Sequence, residues 1–247
     1  MSRRSARLWD LMRPTVSEAE CGGKLPAAAD RINLTNALPI EIATSRLTLR
    51  RCEGSDVEAV LAYRQRSDVG KYLRDGTWSH AKAVREIAAY SVVPFSAPGD
   101  ELVLLAETRD GAAVVGEVGL LWSGERTAEM GYVFNPRYGG QGLATEAVSA
   151  IINFARCRLG FLRVIARTDA ANVASIALCR RLGMQLLSTA LSTDGRRVPE
   201  CVFSTGVRTD AALAAGFRCC SGRRGAPTLA KPGQAWSAAT RATWSAR

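Results

Sequence analysis

The sequence predicts an α/β (α+β) fold: a mixed, mostly antiparallel central sheet flanked by helices, in a single domain with flexible tails. Between residues 45 and 206 the chain switches repeatedly between the two-residue period of strands and the 3.6-residue period of helices. An Asp110-Gly111 pair, typical of antiparallel hairpins, joins two of the strands. The element order is strand, two helices, three antiparallel strands, helix, strand, helix, two strands, which favours an α/β sandwich built on a mixed sheet.

The first elements follow from alternation and capping signals. Residues 46–51 alternate apolar and polar side chains, which predicts a half-buried strand. Ser55 is the predicted N-cap of a helix that runs to about Arg66, and Glu58 completes a capping box. A second helix is predicted over 79–90, where the apolar residues share one face.

The later elements alternate strands with helices. The predicted segments are strands at 102–108, 113–122 and 128–134, a helix ending near 159, a strand at 162–168, a helix at 172–182 and a closing hairpin around Asp194-Gly195.

Both ends of the chain lack a regular pattern. We expect a disordered leader over 1–44, a folded domain over 45–206 and a basic low-complexity tail over 207–247. Residues 208–247 hold seven basic residues against one acidic residue, so most of the formal charge of +10 belongs to the tail. Because no aromatic residues interleave with a folded basic patch, nucleic-acid binding is not expected.

Composition excludes several further classes of protein. No run approaches the roughly 18 apolar residues of a membrane span, and the N-terminal residues lack the apolar block of a secretory signal. A cytoplasmic protein without membrane contact is therefore expected. Seven cysteines without a Cys-x-x-Cys pair, beside a single histidine, predict reduced and mostly buried thiols and no metal site.

A glycine-rich loop is the most informative stretch. It reads Tyr138-Gly139-Gly140-Gln141-Gly142-Leu143-Ala144 and lies between a predicted strand and a predicted helix. Glycines allow close approach of the backbone, and free amides at a helix N-terminus favour an anion such as a pyrophosphate. The glycine pattern itself leaves a dinucleotide and coenzyme A open, because neither the phosphate-loop nor the Gly-x-Gly-x-x-Gly signature is complete.

The loop resembles the acetyl-CoA pyrophosphate loop of the GNAT superfamily. Arg137-x-x-Gly140-x-Gly142 fits the pattern Q/R-x-x-G-x-G/A directly. A second register aligns the run beginning at Gly140 with the Gly-x-Gly-x-Ala-Thr-Glu-Ala run of the RimJ/RimL-like branch. The preceding Glu129-Met-Gly-Tyr-Val-Phe-Asn-Pro also resembles that branch and favours the second register. Gly139 then stands where family members often carry Arg or Gln.

A downstream helix carries a second resemblance. It begins Asn172-Val-Ala-Ser175 and ends Leu182-Gly183-Met184, similar to the family pattern Asn-x-x-Ser…Leu-Gly-Phe/Met. Asn172 is a candidate N-cap, and Gly183 would end the helix. The two motifs stand in the family's order, about 30 residues apart. The resemblance implies acetyl-CoA as the cosubstrate, without a metal.

The resemblance also implies the binding residues. The strands at 128–134 and 162–168 would separate to admit the pantetheine, and an amide near Val133 would bond the acetyl oxygen. The expected cofactor-binding residues are Val133, Gly139, Gly140, Gln141, Gly142, Leu143, Ala144, Thr145, Asn172 and Ser175.

The catalytic candidates are Glu129 and Ser175. Glu129 is the expected base that takes the amine proton. Many family members carry tyrosine where Cys179 stands, so Ser175 is expected to hydrogen-bond the sulfur, with Tyr132 and Tyr138 left as other possible acids. Glu146 is interpreted as an acid that stabilises the helix N-terminus.

The function implied is acetyl transfer from acetyl-CoA to a primary amine, namely a protein N-terminal amine as in the RimJ/RimL-like branch. The alternatives are a small-molecule, aminoglycoside-type acetyltransferase and a non-catalytic acyl-CoA-binding module. The acceptor is expected beside the two early helices and the loops around Trp78 and Trp122, with His80 on the surface nearby. The protein would act as a monomer or a homodimer.

Overall fold

A computed structural model describes residues 40–92, 94–124, 126–192 and 196–206. In these ranges eight strands form one sheet, and helices cover both of its faces. The strands are β1 Glu41–Ala43, β2 Leu47–Arg51, β3 Glu101–Thr108, β4 Val114–Gly124, β5 Thr127–Phe134, β6 Arg163–Asp169, β7 Gln185–Leu191 and β8 Pro199–Ser204. The helices are α1 Val57–Arg64, α2 Ser67–Gly70, α3 His80–Val92, α4 Leu143–Cys157 and α5 Val173–Arg181.

The sheet is mixed and mostly antiparallel. Its strand order is β1-β2-β3-β4-β5-β6-β8-β7, and β5 and β6 are its one parallel pair within the described chain. Helix α4 is the crossover that makes this parallel pair possible. The predicted fold class is therefore confirmed.

The parallel pair is short and opens at one end. Strands β5 and β6 pair only between Thr127–Met130 and Arg163–Ala166. Beyond that point β5 stays paired with β4 as far as Phe134, and β6 stays paired with β8 as far as Asp169. The carboxyl-terminal ends of the two strands therefore separate, and we call the opening between them the strand gap.

The two sheet faces have separate apolar cores. On β5, Ala128 and Met130 belong to the core that includes α4, whereas Val133 belongs to the core that includes α1 and α3. Because strand side chains alternate between faces, Glu129 points to the same side as Val133. Tyr132 lies on the α4 side. One side of the strand gap, the α4–α5 side, thus presents Tyr132, and the other, the α1–α3 side, presents Glu129.

Two local predictions are corrected. Strand β1 falls inside the segment 1–44 predicted as a disordered leader, so that prediction is wrong for 41–43; residues 1–39 and 207–247 lie outside the described ranges. Ser55 makes no capping hydrogen bond. Instead, the Asp56 carboxylate accepts a hydrogen bond from the Glu53 amide at 2.7 Å. Arg50, which lies on strand β2, also donates to the Asp56 carboxylate.

Four of the seven cysteines lie in the described ranges, and all four are free thiols. Cys52, Cys179 and Cys201 are buried, and Cys157 is half-buried. Across the described residues, no group of three or more His, Cys, Asp or Glu side chains is arranged to hold a metal ion. No helix in those ranges is long and apolar enough to cross a membrane.

Candidate active site

A groove opens at the strand gap. It is lined by residues of β5, β6 and β8, of the start of α5 and of the loop between α2 and α3. Its lining residues are Tyr72, Leu73, Arg74, Glu129, Met130, Gly131, Tyr132, Arg167, Thr168, Asp169, Asn172, Ser175, Arg196 and Glu200. The structure therefore brings Glu129 together with Asn172 and Ser175, which lie more than forty residues further along the chain.

The strand gap leaves backbone groups of β5 without a strand partner. The Asn135 amide donates to the Val115 carbonyl of β4, and this part of the β4–β5 pairing has no register shift. Because successive amides alternate in direction, the Val133 amide also points to β4. The amides of Tyr132 and Phe134 point into the gap instead. The predicted donor is therefore corrected from Val133 to these neighbours.

The glycine loop enters α4 through two left-handed residues. Gly140 has a φ of 75° and Gly142 a φ of 77°, which side chains other than glycine rarely adopt. Gly142 is the N-cap of α4, so the amides from Leu143 to Thr145 have no intrahelical acceptor. The loop thus presents free amides at the positive end of a fifteen-residue helix.

Glu146 joins this loop to the turn between β1 and β2, at one edge of the sheet. Its Oε1 accepts hydrogen bonds from Thr44 Oγ1 at 2.6 Å, from Ser45 Oγ at 2.8 Å and from the Arg46 amide at 2.7 Å. Arg46 also pairs with Glu146 Oε2 at 2.7 Å and donates to the Gln141 carbonyl at 2.9 Å. Glu146 therefore does more than balance the helix dipole, because it connects the loop helix to the β1–β2 turn.

Replacing Glu146 by glutamine is expected to destabilise the protein by about 1 kcal/mol, because the donors from Thr44, Ser45 and Arg46, which are partly buried or exposed, lose a charged acceptor. Although burial opposes ionisation, the hydrogen bonds from Thr44, Arg46 and Ser45 hold the pKa of Glu146 below its ordinary value. A depressed pKa contributes stability at neutral pH that is lost as the pH falls through the folded-state pKa.

Urea unfolding of wild type and Glu146→Gln between neutral and acidic pH measures this effect. The difference in free energy of unfolding should be largest at neutral pH and shrink on acidification. A difference that does not change with pH would contradict the assignment. The exposed Asp68, which pairs with Arg66, gives a matched acid-to-amide control, Asp68→Asn.

Glu129 lies in the groove on the α1–α3 side. Its Oε2 accepts from Arg167 Nε at 3.1 Å, and the Glu129 side chain is 18% exposed. Burial raises the pKa of Glu129, and the Arg167 charge counteracts part of that increase. A carboxylate with a raised pKa is a better proton acceptor than an exposed one, which suits a general base.

A chain of ion pairs extends from Glu129 to Glu200, which no sequence motif indicates. Arg167 Nη1 lies 3.4 Å from Glu200 Oε2, and Arg74 Nη2 lies 3.5 Å from Glu200 Oε1. Glu200 pairs in register with Asp169, so its side chain is on the same sheet face as Glu129. Its position on the distant β8 left no local sequence signal.

On the α4–α5 side, a tyrosine and a serine meet at the groove. The Tyr132 hydroxyl lies 2.6 Å from Ser175 Oγ and 3.6 Å from Cys179 Sγ. Asn172 accepts the Ser175 amide at 3.1 Å, which confirms the predicted N-cap. The φ of Gly183 is 72°, as expected for a residue that ends a helix.

A buried charged cluster supports one wall of the groove. Arg64 pairs with the buried Glu117 of β4 and stacks 4.3 Å from the Trp78 ring centroid. Asp75 lies 3.7 Å from Arg64 and 3.0 Å from Lys82, and it accepts the Trp78 indole hydrogen. The cluster holds the loop between α2 and α3 against helices α1 and α3.

Other residues expected on the acceptor side lie elsewhere. Trp78 is buried in the cluster just described, and only its loop reaches the groove. Trp122 packs against Phe161 in the other core, with ring centroids 5.6 Å apart, and the described residues of the loop that follows it do not line the groove. His80 is exposed, as expected, and contacts Glu58. Tyr138 does not line the groove.

Comparison with known proteins places the chain among acyl-transferring enzymes. The family model described as "Acetyltransferase (GNAT) domain" matches residues 46–185. The uncharacterized N-acetyltransferase YnaD of Bacillus subtilis is 32% identical over 150 residues, which cover 59% of this chain and 83% of YnaD.

Solved structures share the fold. One, provisionally assigned as a ribosomal-protein-serine acetyltransferase from Vibrio cholerae, has a TM-score of 0.57 at 25% identity over 69% of this chain and 98% of its own. RimL, a ribosomal L7/L12 alpha-N-protein acetyltransferase solved with coenzyme A, has a TM-score of 0.57 at 17% identity, over 68% of this chain and 98% of its own.

Proposed function

Because the chain belongs to the GNAT acetyltransferase family, we propose that it moves an acetyl group from acetyl-CoA to a primary amine in the groove at the strand gap. The finer proposal is that the acceptor is a protein N-terminal amine. The observation that carries the acetyl-transfer proposal is the position of Glu129, a partly buried carboxylate at the open end of the parallel strand pair.

The glycine loop fits the diphosphate of acetyl-CoA. Its free amides at the start of α4 would hold an anion, and Gly139, Gly140 and Gly142 place no side chain in the way. The residues proposed to line this part of the site are Gly139, Gly140, Gln141, Gly142, Leu143, Ala144 and Thr145. The amides of Tyr132 and Phe134 in the gap would bond the pantetheine or the acetyl oxygen. Acetyl-CoA supplies the acetyl thioester.

The chain's own residues then have separate tasks. Glu129 takes a proton from the amine at its Oε atoms, directly or through water. An inward amide of β5 polarises the acetyl carbonyl. Ser175 would donate a hydrogen bond to the sulfur, whose negative charge increases as the C–S bond of the thioester breaks. Asn172 holds the first turn of α5, and hence Ser175, at its place beside the gap.

The charge balance of the groove favours a peptide N-terminus over a polycationic drug. Among its lining residues, three arginines stand beside three carboxylates, so the groove has no excess of negative charge. A polyamine ligand would need that excess, whereas one ammonium group needs only one or two acids. The loop residues Tyr72 and Leu73 give the groove an apolar wall for the first side chains of a peptide.

An acceptor panel tests the proposal. Release of free coenzyme A from acetyl-CoA is measured with peptides of different N-terminal residues and with aminoglycosides, using the full chain. We expect release with peptides that carry a free α-amine and none with the same peptides after N-terminal blocking. Release with aminoglycosides instead would favour the small-molecule alternative, and acetyl-CoA binding without any release would favour the acyl-CoA-binding module.

Glu200 is proposed to help bind the acceptor ammonium. Glu200 lines the groove, and the single charge of Arg167 is divided between Glu200 and Glu129, so both carboxylates can still attract the incoming cation. Replacing Glu200 by glutamine is expected to raise the KM for the acceptor about tenfold with a smaller change in kcat, because one charged partner is lost. Steady-state kinetics at varied acceptor concentration measure it, with Asp68→Asn as the control. An unchanged KM would contradict this role.

A further inference from the structure

Three polar side chains form a line from the core to the groove on the α4–α5 side. Cys179 is fully buried, Tyr132 lies between the core and the groove, and Ser175 lines the groove at the first turn of α5. The hydroxyl of Tyr132 is within hydrogen-bonding distance of both neighbours, at 2.6 Å from Ser175 Oγ and 3.6 Å from Cys179 Sγ. Tyr132 is thus the link between the other two.

The chemistry of the groups favours one donor direction. Burial raises the pKa of the Cys179 thiol and of the Tyr132 hydroxyl, so both keep their hydrogens at neutral pH. An oxygen is a better acceptor than a thiol sulfur, so the acceptors open to the Tyr132 hydrogen are Ser175 Oγ at 2.6 Å and the Ser175 carbonyl at 3.3 Å. Only the first distance lies in the usual range for an O–H···O bond, so the hydrogen goes to Ser175 Oγ. Cys179 can then donate weakly to Tyr132, and the hydrogen of Ser175 is left for the groove.

A serine hydroxyl without such a partner has several orientations available. Its χ1 can adopt three staggered states, and its hydrogen can turn to a backbone carbonyl of the preceding turn. The bond from Tyr132 occupies the Ser175 oxygen on the protein side. It therefore orders the hydroxyl at the position where a leaving sulfur would accept a hydrogen bond.

We propose that Tyr132, supported by Cys179, is a positioning residue that directs the Ser175 hydrogen at the sulfur leaving group. The proposal rests on the proposed acetyl transfer. In that step the amine electron pair forms the new N–C bond, and the C–S bond breaks with its pair left on sulfur. The amine proton goes to Glu129, while the Ser175 hydrogen stays on its oxygen and hydrogen-bonds the sulfur anion.

The test is the proton affinity of the coenzyme A thiol when bound to the full chain. Ultraviolet absorbance of the thiolate is followed during pH titration of the coenzyme A complex. A donor aimed at sulfur stabilises the thiolate, so wild type should lower the pKa of the bound thiol below that of free coenzyme A. Tyr132→Phe and Ser175→Ala should each raise the proton affinity of the bound thiol about tenfold above its value in wild type. The double variant should raise it little further than either single variant.

Controls separate positioning from a general structural effect. Tyr90→Phe removes a tyrosine hydroxyl from α3 on the opposite face and should leave the titration unchanged. Cys179→Ser keeps a donor and should retain the wild-type value, whereas Cys179→Val should move toward Tyr132→Phe. If Tyr132→Phe unfolds, Ser175→Ala and Cys179→Val make the same comparison.

The outcomes are distinguishable. In one outcome, wild type, Tyr132→Phe and Ser175→Ala all bind coenzyme A, and the bound thiol has the same proton affinity in each. That result would overturn this inference and leave the proposed function standing. No coenzyme A binding by wild type would overturn the proposed function and this inference with it.

Discussion

Replacing Glu129 by glutamine is expected to lower kcat by about 10²–10⁴-fold, the range found for loss of a general base. Acetyl-CoA affinity should stay unchanged, because Glu129 lies on the α1–α3 side of the gap and the glycine loop lies at the start of α4. Single-turnover acetylation of an active acceptor measures the loss in rate, and a direct binding titration measures the acetyl-CoA affinity.

The pH dependence of wild type gives the same assignment a second test. A base acts in its deprotonated form, so activity falls as the pH falls through its pKa. Because burial raises the pKa of Glu129, this loss should begin at a higher pH than for an exposed carboxylate. The acidic limb should disappear in Glu129→Gln. A variant that keeps wild-type kcat, or that keeps the acidic limb, would contradict the role of Glu129.

Replacing Gly142 by valine is expected to weaken acetyl-CoA binding by about 100-fold or more, because several amide hydrogen bonds to an anion are each worth about 1.5–3 kcal/mol. Gly142 has a φ of 77°, a region that is strained for a β-branched residue. A Cβ there would make only an ordinary van der Waals contact, 3.6 Å from the Arg46 guanidinium, so the expected effect comes from backbone strain. The loop would change conformation, and its amides would no longer converge.

Gly54 offers a matched control for this substitution. Its φ is not in the left-handed region, and an added Cβ would meet no atom within 4 Å. Gly54→Ala should leave acetyl-CoA affinity unchanged. Binding by Gly142→Val with wild-type affinity, in a protein shown by circular dichroism to be folded, would contradict the loop assignment.

Features with local causes could be predicted from the sequence. The Asn172 cap depends on a side chain and an amide three residues apart, and the glycine loop needs only its own backbone freedom. The mixed sheet followed from the order of strands and helices. The cap and the loop are each contained in a short stretch of chain, and the structure has both of them.

Features that depend on distant contacts could not be predicted in the same way. Glu200 reaches Glu129 only through Arg167, across three strands that are far apart in sequence. Asp56 replaces Ser55 at the start of α1 because Arg50 of the sheet holds its carboxylate. The correction at Val133 comes from the direction of an amide, which depends on the pairing of β5 with β4.

The measurement that tests the central claim most directly is calorimetric titration of acetyl-CoA into the wild-type protein. If acetyl-CoA binds in the groove at the strand gap, binding should be saturable with one site per chain. We expect a Kd of about 1 μM–1 mM, the range of KM values usual for enzyme substrates. Gly142→Val should lose this binding, and Glu129→Gln should keep it. Absence of saturable binding by wild type, or equal binding by Gly142→Val, would contradict the claim that the groove and the glycine loop at the start of α4 hold acetyl-CoA.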